Sequence, residues 1–308
     1  MVISRDLLTY LAEYAVREPE PALLPLIEEF KKTYPNLRAI LFYGSCLQEK
    51  DLTRSLVDLY LLTKDYRGAY RNPALALANY LLPPNVFWAS RDRIRAKYAV
   101  MALWHLEKAV TPRWFHSYFW GRFAQPTALI WWKDSLSRQR ALRILAQAVV
   151  TFLQETIPLA PPQGRIKDLW LTGLTYSYRA ELRPESPKRL WELWEKNKDF
   201  FKEVTQRAVP ALPFAINLQE DRYVAKIPAK LRKLAHVKWS LRMAQGKVLS
   251  VLRLAKACFT FQGGVDYALW KIERHSGKRL EVPAALRRHP FLALIFWGWR
   301  ALLTRGVR

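Results

Sequence analysis

The sequence predicts an α+β protein in which a mixed β-sheet domain precedes a basic and mostly helical domain. Up to about residue 132, short apolar runs with strand character alternate with helical patterns, as is typical of a mixed sheet covered by helices. From about residue 134 onward, apolar residues recur at helical spacing over long segments. The chain has 308 residues, of which 51% are hydrophobic, and this composition supports a sizeable core.

Five short apolar segments, each bounded by Gly, Pro or polar residues, are predicted strands. They cover residues 37–45, 55–63, 85–92, 94–102 and 126–132. Helical patterns accompany them at 21–34, 73–82, 103–110 and 112–123, and continue at 135–157, 166–183, 190–209 and 246–261. We therefore place a sheet domain at 1–133, a basic helical domain that closes a cleft against it at 134–289, and a separate tail at 290–308.

Positive charge is concentrated in the second part of the chain. Residues 1–90 hold ten basic and ten acidic side chains, whereas the whole chain carries a formal net charge of +24. Residues 222–308 contain nineteen Lys or Arg and only three acids. Such a surface attracts polyanions, namely nucleic acid, anionic lipid headgroups or a nucleoside triphosphate. Interleaved aromatic residues favour a binding surface over a merely solvated one.

The composition also excludes several protein classes. Cys46 and Cys258 are too few for a disulfide scaffold or a cysteine-rich zinc site, and they fit a reducing compartment. Charged residues make up 25% of the chain, which argues against a polytopic membrane protein. The start of the chain lacks the layout of a signal or transit peptide. These features predict a cytoplasmic location.

The tail at 290–308 is predicted to lie at a membrane interface rather than to span the bilayer, and the alternative is a buried core helix. Its uncharged run, residues 291–299, is shorter than the roughly 20 residues that a spanning helix needs. Trp297 and Trp299 lie near arginines, a combination that suits the headgroup boundary. We therefore expect peripheral attachment to the cytoplasmic face of the inner membrane, with an anionic membrane surface as a partner.

A candidate phosphate site lies where one predicted strand ends and the next begins. Gly44 and Ser45 form a turn after the first strand, and Asp58 lies on the second. Glycine lets backbone N–H groups approach a phosphate closely, and the Ser45 hydroxyl adds a donor. An aspartate on the neighbouring strand suits a Mg²⁺ ion that bridges phosphates. The alternative interpretation is an ordinary glycine turn beside a strand-end aspartate.

This arrangement resembles the nucleotidyltransferase superfamily, in which Gly-Ser is followed on the next strand by Asp-x-Asp. The resemblance implies a nucleotidyltransferase-like catalytic domain at 1–133. Tyr60 stands here in place of the second Asp. With a hydroxyl acceptor, that replacement suggests an inactive enzyme, because one of the carboxylates helps to activate the acceptor.

A longer series of segments resembles the mitochondrial-type (translocator assembly and maintenance) phosphatidate cytidylyltransferases, which have bacterial relatives. Phe-Tyr-Gly-Ser at 42–45 is similar to their Tyr-Gly-Ser-Gly turn, and Lys-Tyr-Ala-Val at 97–100 is similar to their Lys-Tyr-Gly-Val. Further similar segments follow in the same order at 118–126, 173–177, 181–183 and 250–260. The chain departs from the family at Cys46, where the family has Gly, and at 79–88, which lack its Gly-rich stretch.

The resemblance implies a Mg²⁺-dependent transfer of CMP from CTP to phosphatidate, which yields CDP-diacylglycerol and pyrophosphate. It also implies roles for residues at matched positions. Catalytic roles fall to Ser45, Asp58, Lys97 and Arg122. Nucleotide binding falls to Tyr43, Gly44, Ser45, Tyr98 and Lys256. The metal ligands implied are Asp58 and Glu181, and the residues that bind the substrate phosphate are Arg122, Arg183 and Lys256.

Two alternatives stay open from the sequence. One is a nucleotidyltransferase fold with another acceptor, and the other is an inactive member that binds membrane or RNA through its charge. The apolar, Trp-bearing tail favours lipid over nucleic acid. A phosphomonoester acceptor, with a second pKa of about 6, is already largely ionised at pH 7 and needs no strong base. Tyr60 in place of a second Asp therefore fits such an acceptor.

Overall fold

The computed structural model describes residues 3–48, 52–181 and 185–260. In these ranges the helices are α1 (Arg5–Ala15), α2 (Leu24–Thr33), α3 (Pro73–Leu81), α4 (Leu103–Ala109), α5 (Tyr118–Phe123), α6 (Ser135–Thr156), α7 (Ile166–Arg179), α8 (Pro187–Ala208) and α9 (Ala229–Thr260). The strands are β1 (Leu37–Tyr43), β2 (Leu56–Thr63), β3 (Asn85–Arg91), β4 (Ile94–Ala102), β5 (Thr127–Trp132), β6 (Gln163–Arg165), β7 (Ala215–Gln219) and β8 (Arg222–Lys226).

The first five strands form one mixed sheet in the order β3-β4-β2-β1-β5. Strands β2 and β4 run parallel, and the other neighbouring pairs are antiparallel. All five strands lie within the segments that the sequence predicts, and long helices follow them. The predicted fold class, a mixed sheet followed by a mostly helical region, is therefore confirmed.

Both faces of this sheet are buried, because apolar side chains occupy both positions of the strand alternation. Ile40 and Leu61 belong to a core that Phe30 of α2 completes on one face. On the other face, Leu41 belongs to a larger core that includes Leu145 of α6. The helical region therefore packs directly on the sheet. The domain boundary between residues 133 and 134 stays a prediction.

A buried ion cluster attaches α9 to α6. Both carboxylate oxygens of Glu155 accept hydrogen bonds at 2.8 Å, one from Lys238 and the other from Arg242. The Glu155 carbonyl accepts a further bond from the indole N–H of Trp239 at 2.8 Å. Arg242 is fully buried. Because these charges are compensated inside the protein, they hold the first half of α9 against the core.

A second close contact holds the middle of α9 against the end of α7. Gly246 lies so close to the carbonyl of Ala180 that a Cβ atom at position 246 would overlap that oxygen. The absence of a side chain therefore allows the two backbones to touch. This contact brings the second half of α9 beside Glu181, the residue that follows Ala180.

The structure differs from the predicted secondary structure in four main places. Helix α9 begins at Ala229, whereas the sequence predicts a helix only at 246–261. Helix α1 was not predicted, although Leu7, Leu11 and Ala15 are buried at its helical spacing. The predicted helix at 112–123 forms only from Tyr118. Strands β6, β8 and β7 form a second sheet inside the region predicted as helical. The β7–β8 turn contains Glu220 with φ of 51° rather than glycine, so it lacked a recognisable hairpin signal.

No helix among the described residues is long and apolar enough to cross a membrane. The predicted interfacial tail at 290–308 lies outside the described residues, so its location stays a prediction.

Candidate active site

Three paired residues form a row across the sheet at the end of β1. Tyr43 is paired with Asp58, and Asp58 is paired with Lys97. Paired residues on adjacent strands project from the same face, so the three side chains lie side by side. The Lys97 ammonium is 3.6 Å from an oxygen of the Asp58 carboxylate, and both side chains remain partly exposed. This row forms the floor of the candidate site.

The Gly44-Ser45 turn lies directly over Asp58. Gly44 has a φ of 93°, in the left-handed region that favours glycine. A Cβ atom at position 44 would lie 3.1 Å from an Asp58 carboxylate oxygen. Ser45 is exposed and begins a short 3₁₀ turn, Ser45–Gln48. The turn therefore places an open backbone beside the carboxylate, and the Ser45 hydroxyl lies 3.9 Å from the Cys46 sulfur.

Cys46, next to this serine, has a structural position. Its side chain is only 4% exposed, and its thiol donates to the Leu56 carbonyl at 3.0 Å. This bond ties the turn to the first residue of β2.

Arg122 of α5 lies above the row and joins three elements. One guanidinium nitrogen donates to the Tyr43 hydroxyl at 3.1 Å, and another is 3.5 Å from a carboxylate oxygen of Glu181. Its guanidinium carbon lies 4.4 Å from the ring centroid of Tyr118. Arg122 thereby connects the end of β1 with α5 and with the residues after α7.

Positive charge dominates the electrostatics of this region. Burial would raise the pKa of the Tyr118 hydroxyl, but the guanidinium groups of Arg122 and Arg253 lower it below the usual tyrosine value. Burial and the charge of Asp58 raise the pKa of Tyr43 to about 12. Burial opposes the charge of Lys97, yet Tyr43 and Asp58 raise its pKa above the usual lysine value. Lys97 and Arg122 are therefore charged at neutral pH.

Sequence reasoning missed Arg253, a residue of helix α9 that approaches Tyr118. Its guanidinium carbon is 4.3 Å from the Tyr118 ring centroid, and its Nε donates to the Pro83 carbonyl at 3.0 Å. Lys256, one helical turn later, donates to the Pro84 carbonyl at 2.8 Å. Residues three apart share a helix face, so Lys256 itself was the available signal for Arg253. Burial, with the nearby Arg253, lowers the pKa of Lys256 to about 7.

The structure brings most of the predicted site residues together. The residues that share the site are Tyr43, Gly44, Ser45, Asp58, Lys97, Arg122 and Glu181. Lys256 approaches from α9 next to Arg253. Arg183 lies outside the described residues.

Tyr98, predicted to bind nucleotide, is not brought to the site. It follows Lys97 on β4, and successive side chains of a strand point to opposite faces. Tyr98 belongs to the core on the other face, where its ring centroid lies 4.7 Å from that of Phe30. Its hydroxyl is 3.4 Å from that of Tyr34. The resemblance implied that Lys97 and Tyr98 both face the site. Because they are consecutive residues of one strand, their side chains lie on opposite faces of the sheet.

Among the described residues, no group of three His, Cys, Asp or Glu side chains could hold a metal ion. Asp58 has Lys97 beside it, and Glu181 is paired with Arg122. Mg²⁺ is commonly held by one or two carboxylates together with substrate phosphates and water. Asp58, partly exposed beneath an open turn, fits an ion that arrives with a nucleotide. The described residues do not form a preformed protein cage.

No protein-family model matches the chain, and no curated protein matches it. Among solved structures, the chain is similar to a nucleotidyltransferase-like protein from Exiguobacterium sibiricum, determined by crystallography at 1.90 Å resolution. The two sequences are 12% identical, the match covers 75% of this chain and 79% of the other, and the TM-score is 0.25. A similarity this weak carries no argument about function, so the functional proposal rests on the geometry of the site.

Proposed function

We propose that the protein is a nucleotidyltransferase that transfers CMP from CTP to phosphatidate, giving CDP-diacylglycerol and pyrophosphate. One observation carries the proposal: the Gly44-Ser45 turn, Asp58 and Lys97 lie together at one end of the central strands β1, β2 and β4, with Arg122 above them. An open glycine turn, a carboxylate and fixed cations are the groups needed to hold a polyphosphate. The order of the sequence segments supports CTP and phosphatidate as the specific substrates.

The residues have distinct roles in this proposal. The backbone of Gly44 and the hydroxyl of Ser45 hold the triphosphate, and Lys97 adds a fixed positive charge. Asp58 would hold Mg²⁺ together with the triphosphate, and the ion would neutralise charge on the phosphate oxygens. Glu181 is proposed as a second ligand, although its partner in the structure is Arg122.

The chemical step fits the absence of a second carboxylate on β2. An oxygen of the acceptor phosphate attacks the α-phosphorus of CTP, a new P–O bond forms, and the bond to the β-phosphate oxygen breaks. Pyrophosphate leaves with that electron pair. A phosphomonoester needs no strong base, because it is already largely ionised at pH 7. Tyr60, at the position of the second Asp, is fully buried and supplies packing instead.

We also propose that an anionic lipid bilayer binds one side of α9. The opposite side of α9 packs against the rest of the protein. On the outer side, six apolar side chains at helical spacing are exposed to solvent: Leu231, Leu234, Val237, Leu241, Val248 and Leu252. Exposed lysines accompany this apolar stripe, including Lys230, Lys233 and Lys247. The combination of apolar and cationic side chains on one helix suits the headgroup boundary of an anionic membrane.

The stripe on α9 continues towards the candidate site. Lys256, near the end of α9, binds the Leu82 carbonyl just after α3. Leu81, the last residue of α3, is 69% exposed, and Leu77 on the same helix is 57% exposed. A bilayer seated on this side would therefore lie next to the segment that Arg253 and Lys256 contact. That position favours an acceptor drawn from the membrane.

The catalytic proposal is tested with radiolabelled CTP, purified protein, Mg²⁺ and mixed micelles that contain phosphatidate. Label extracted into organic solvent is the expected result, and Asp58→Asn should abolish it. Label transferred only to another acceptor, such as a nucleic-acid end, would support the alternative transferase. A lack of turnover with any acceptor, together with salt-sensitive binding to RNA or vesicles, would support an inactive binding protein.

The membrane proposal is tested by flotation with vesicles that contain phosphatidylglycerol. Leu241→Ser combined with Val248→Ser should reduce the floated fraction, whereas Leu136→Ser, an equally exposed leucine on α6, should not. A deletion of residues 290–308 measures the separate contribution of the tail. Unchanged flotation of the α9 variant would contradict the proposed surface, and unchanged flotation of the deletion would contradict the predicted tail.

A further inference from the structure

Arg253 has an uncompensated charge, unlike the buried Arg242 and the site residue Arg122. Arg242 is paired with Glu155, and Arg122 is paired with Glu181. Arg253 forms no ion pair within the described ranges, and its Nη1 is buried there without a hydrogen-bond partner. A partly buried, unpaired guanidinium is costly in the ligand-free protein. Burial accordingly lowers its pKa below the usual arginine value.

The position of Arg253 is well defined. Its Nε donates to the Pro83 carbonyl, and its guanidinium carbon lies 4.3 Å from the Tyr118 ring centroid. The close contact at Gly246, two turns earlier, fixes the helix that carries it. An arginine whose stem and Nε are held while its other nitrogens lack a carboxylate is preorganised for an anion with several oxygens.

Arg253 adds to a local excess of positive charge. Arg122 lies 4.4 Å from the same Tyr118 centroid, so two guanidinium groups share one ring. Lys256 follows Arg253 by one helical turn and donates a hydrogen bond to the Pro84 carbonyl. Glu181 is paired with Arg122 and leaves the charge of Arg253 uncompensated. This excess of positive charge around Tyr118 favours the binding of a ligand with more than one negative charge, such as a phosphate dianion.

The location favours the acceptor over the nucleotide. The triphosphate is assigned to the Gly44-Ser45 turn and Asp58, whereas Arg253 contacts Tyr118 and the segment after α3. That segment adjoins the exposed apolar side chains Leu77 and Leu81. A ligand with an anionic head and apolar tails would satisfy both surfaces.

We infer that Arg253, with Arg122 and Lys256, forms a subsite that binds the phosphomonoester group of the acceptor. This inference rests on the proposed function, which supplies the acceptor, and it adds a residue that the sequence motifs do not include. Arg253 would contact two phosphate oxygens through its guanidinium, and Lys256 would act as a point charge beside it.

Titration calorimetry without CTP or Mg²⁺ tests the subsite directly. The probes are dioctanoyl phosphatidate, glycerol 3-phosphate and, as a phosphate-free control, dioctanoylglycerol. Arg253→Gln should weaken binding of both phosphates by about 10- to 100-fold, the loss expected for a charge-assisted hydrogen bond. Arg253→Lys should lose less affinity for both phosphates than Arg253→Gln, because it keeps the positive charge. Arg232→Gln is the matched control, because Arg232 lies on the same helix and donates to the Ala160 carbonyl.

The outcomes separate the subsite from the catalytic proposal. Phosphomonoester binding that depends on Arg253, in a protein without transferase activity, would retain the subsite and reject the proposed function. Active protein in which Arg253→Gln leaves both the affinity and the KM for phosphatidate unchanged would reject the subsite alone. An equal loss of CTP affinity would also overturn the inference, because it would assign Arg253 to the nucleotide. Weaker binding of phosphatidate but not of glycerol 3-phosphate would contradict recognition of the phosphate itself.

Discussion

The carboxylate of Asp58 and the ammonium of Lys97 lie 3.6 Å apart on the parallel strands β2 and β4. Parallel neighbours are distant in the chain, so this pair is a product of the sheet and not of a local motif. It places a carboxylate and a fixed cation side by side under the Gly44-Ser45 turn. In the proposed active site, the Asp58 carboxylate can bind a cation and the Lys97 ammonium can bind an anionic phosphate.

Asp58→Asn should abolish nucleotidyl transfer, with a loss of at least about 100-fold, because an amide no longer supplies the charge at this position. Unfolding temperature should change little, since the side chain is partly exposed. Initial rates of CTP consumption and thermal unfolding measure the two effects. Asp199→Asn, an exposed aspartate on α8, is the control and should remain fully active. Wild-type rates in Asp58→Asn would remove the basis of the catalytic proposal.

Gly44→Ala should impair both stability and activity. The residue has a φ of 93°, and the new Cβ would lie 3.1 Å from Asp58. A left-handed alanine costs about 1–2 kcal/mol, and relief of the contact would displace the carboxylate. Denaturant unfolding and turnover are the measurements. Gly164→Ala is a matched control, since its Cβ would meet neighbours only at 3.4 Å or more. Equal behaviour of the two variants would contradict this account of the turn.

Tyr60→Asp should not improve transfer to a phosphate acceptor. The side chain is fully buried, and its ring packs against Tyr43 and Phe123 at centroid distances of 5.4 and 4.9 Å. Replacement by a carboxylate loses this contact and buries a charge, so we expect destabilisation on the order of 3–5 kcal/mol. Tyr60→Phe should change stability by less than about 1 kcal/mol, because the hydroxyl has no partner in the described part of the chain. A large gain in rate for Tyr60→Asp would show that a second carboxylate is needed.

Glu155→Gln should destabilise the protein by about 3–5 kcal/mol, because it leaves the buried Arg242 without a compensating charge. Lys238→Gln should cost less, since Lys238 is 35% exposed and can be solvated. Chemical denaturation measures both. The Glu155 variant should also weaken phosphomonoester binding, because the helix that carries Arg253 is held by this cluster. A smaller loss of stability in Glu155→Gln than in Lys238→Gln would contradict the assignment of Glu155 as the anchor.

The stability of the protein should rise with pH between about 7 and 10.5, in part through Lys256. Burial lowers the pKa of Lys256 to about 7 from a usual value of 10.5. Within this window the unfolded chain binds a proton that the folded chain does not, so the free energy of unfolding increases with pH. Below pH 7 both states are protonated and the contribution is constant. Lys256→Met should flatten the profile, and an identical slope in that variant would contradict a buried lysine with a lowered pKa.

Several features of the fold could be predicted from the sequence because their causes are local. The five strands of the main sheet are short apolar runs between breakers, and the Gly44-Ser45 turn directly follows the first of two consecutive antiparallel strands. Asp58 was therefore expected beside the glycine turn, and it lies next to Gly44. The hairpin at 215–226 escaped prediction because its strands are half-exposed and its turn uses Glu220 at positive φ.

Strand alternation could also have corrected one assignment in advance. Lys97 and Tyr98 are consecutive residues of β4, so only one of them can face the site. Tyr98 packs against Phe30 of helix α2, so Tyr98 faces the core and Lys97 faces the site. This choice is made by the helix that covers the sheet and not by the sequence of β4.

By itself, the sequence determined the five strands of the main sheet, the helices α6, α7 and α8, the glycine turn and the excess of basic residues in the second part of the chain. These properties depend on neighbours in the chain, on residue type and on periodicity. Only the tertiary structure decided which of the many cations reach the site: Lys97 through the parallel register of β2 and β4, and Arg253 through the docking of α9. Register and helix docking are set by contacts between residues far apart in the chain, which no local pattern specifies.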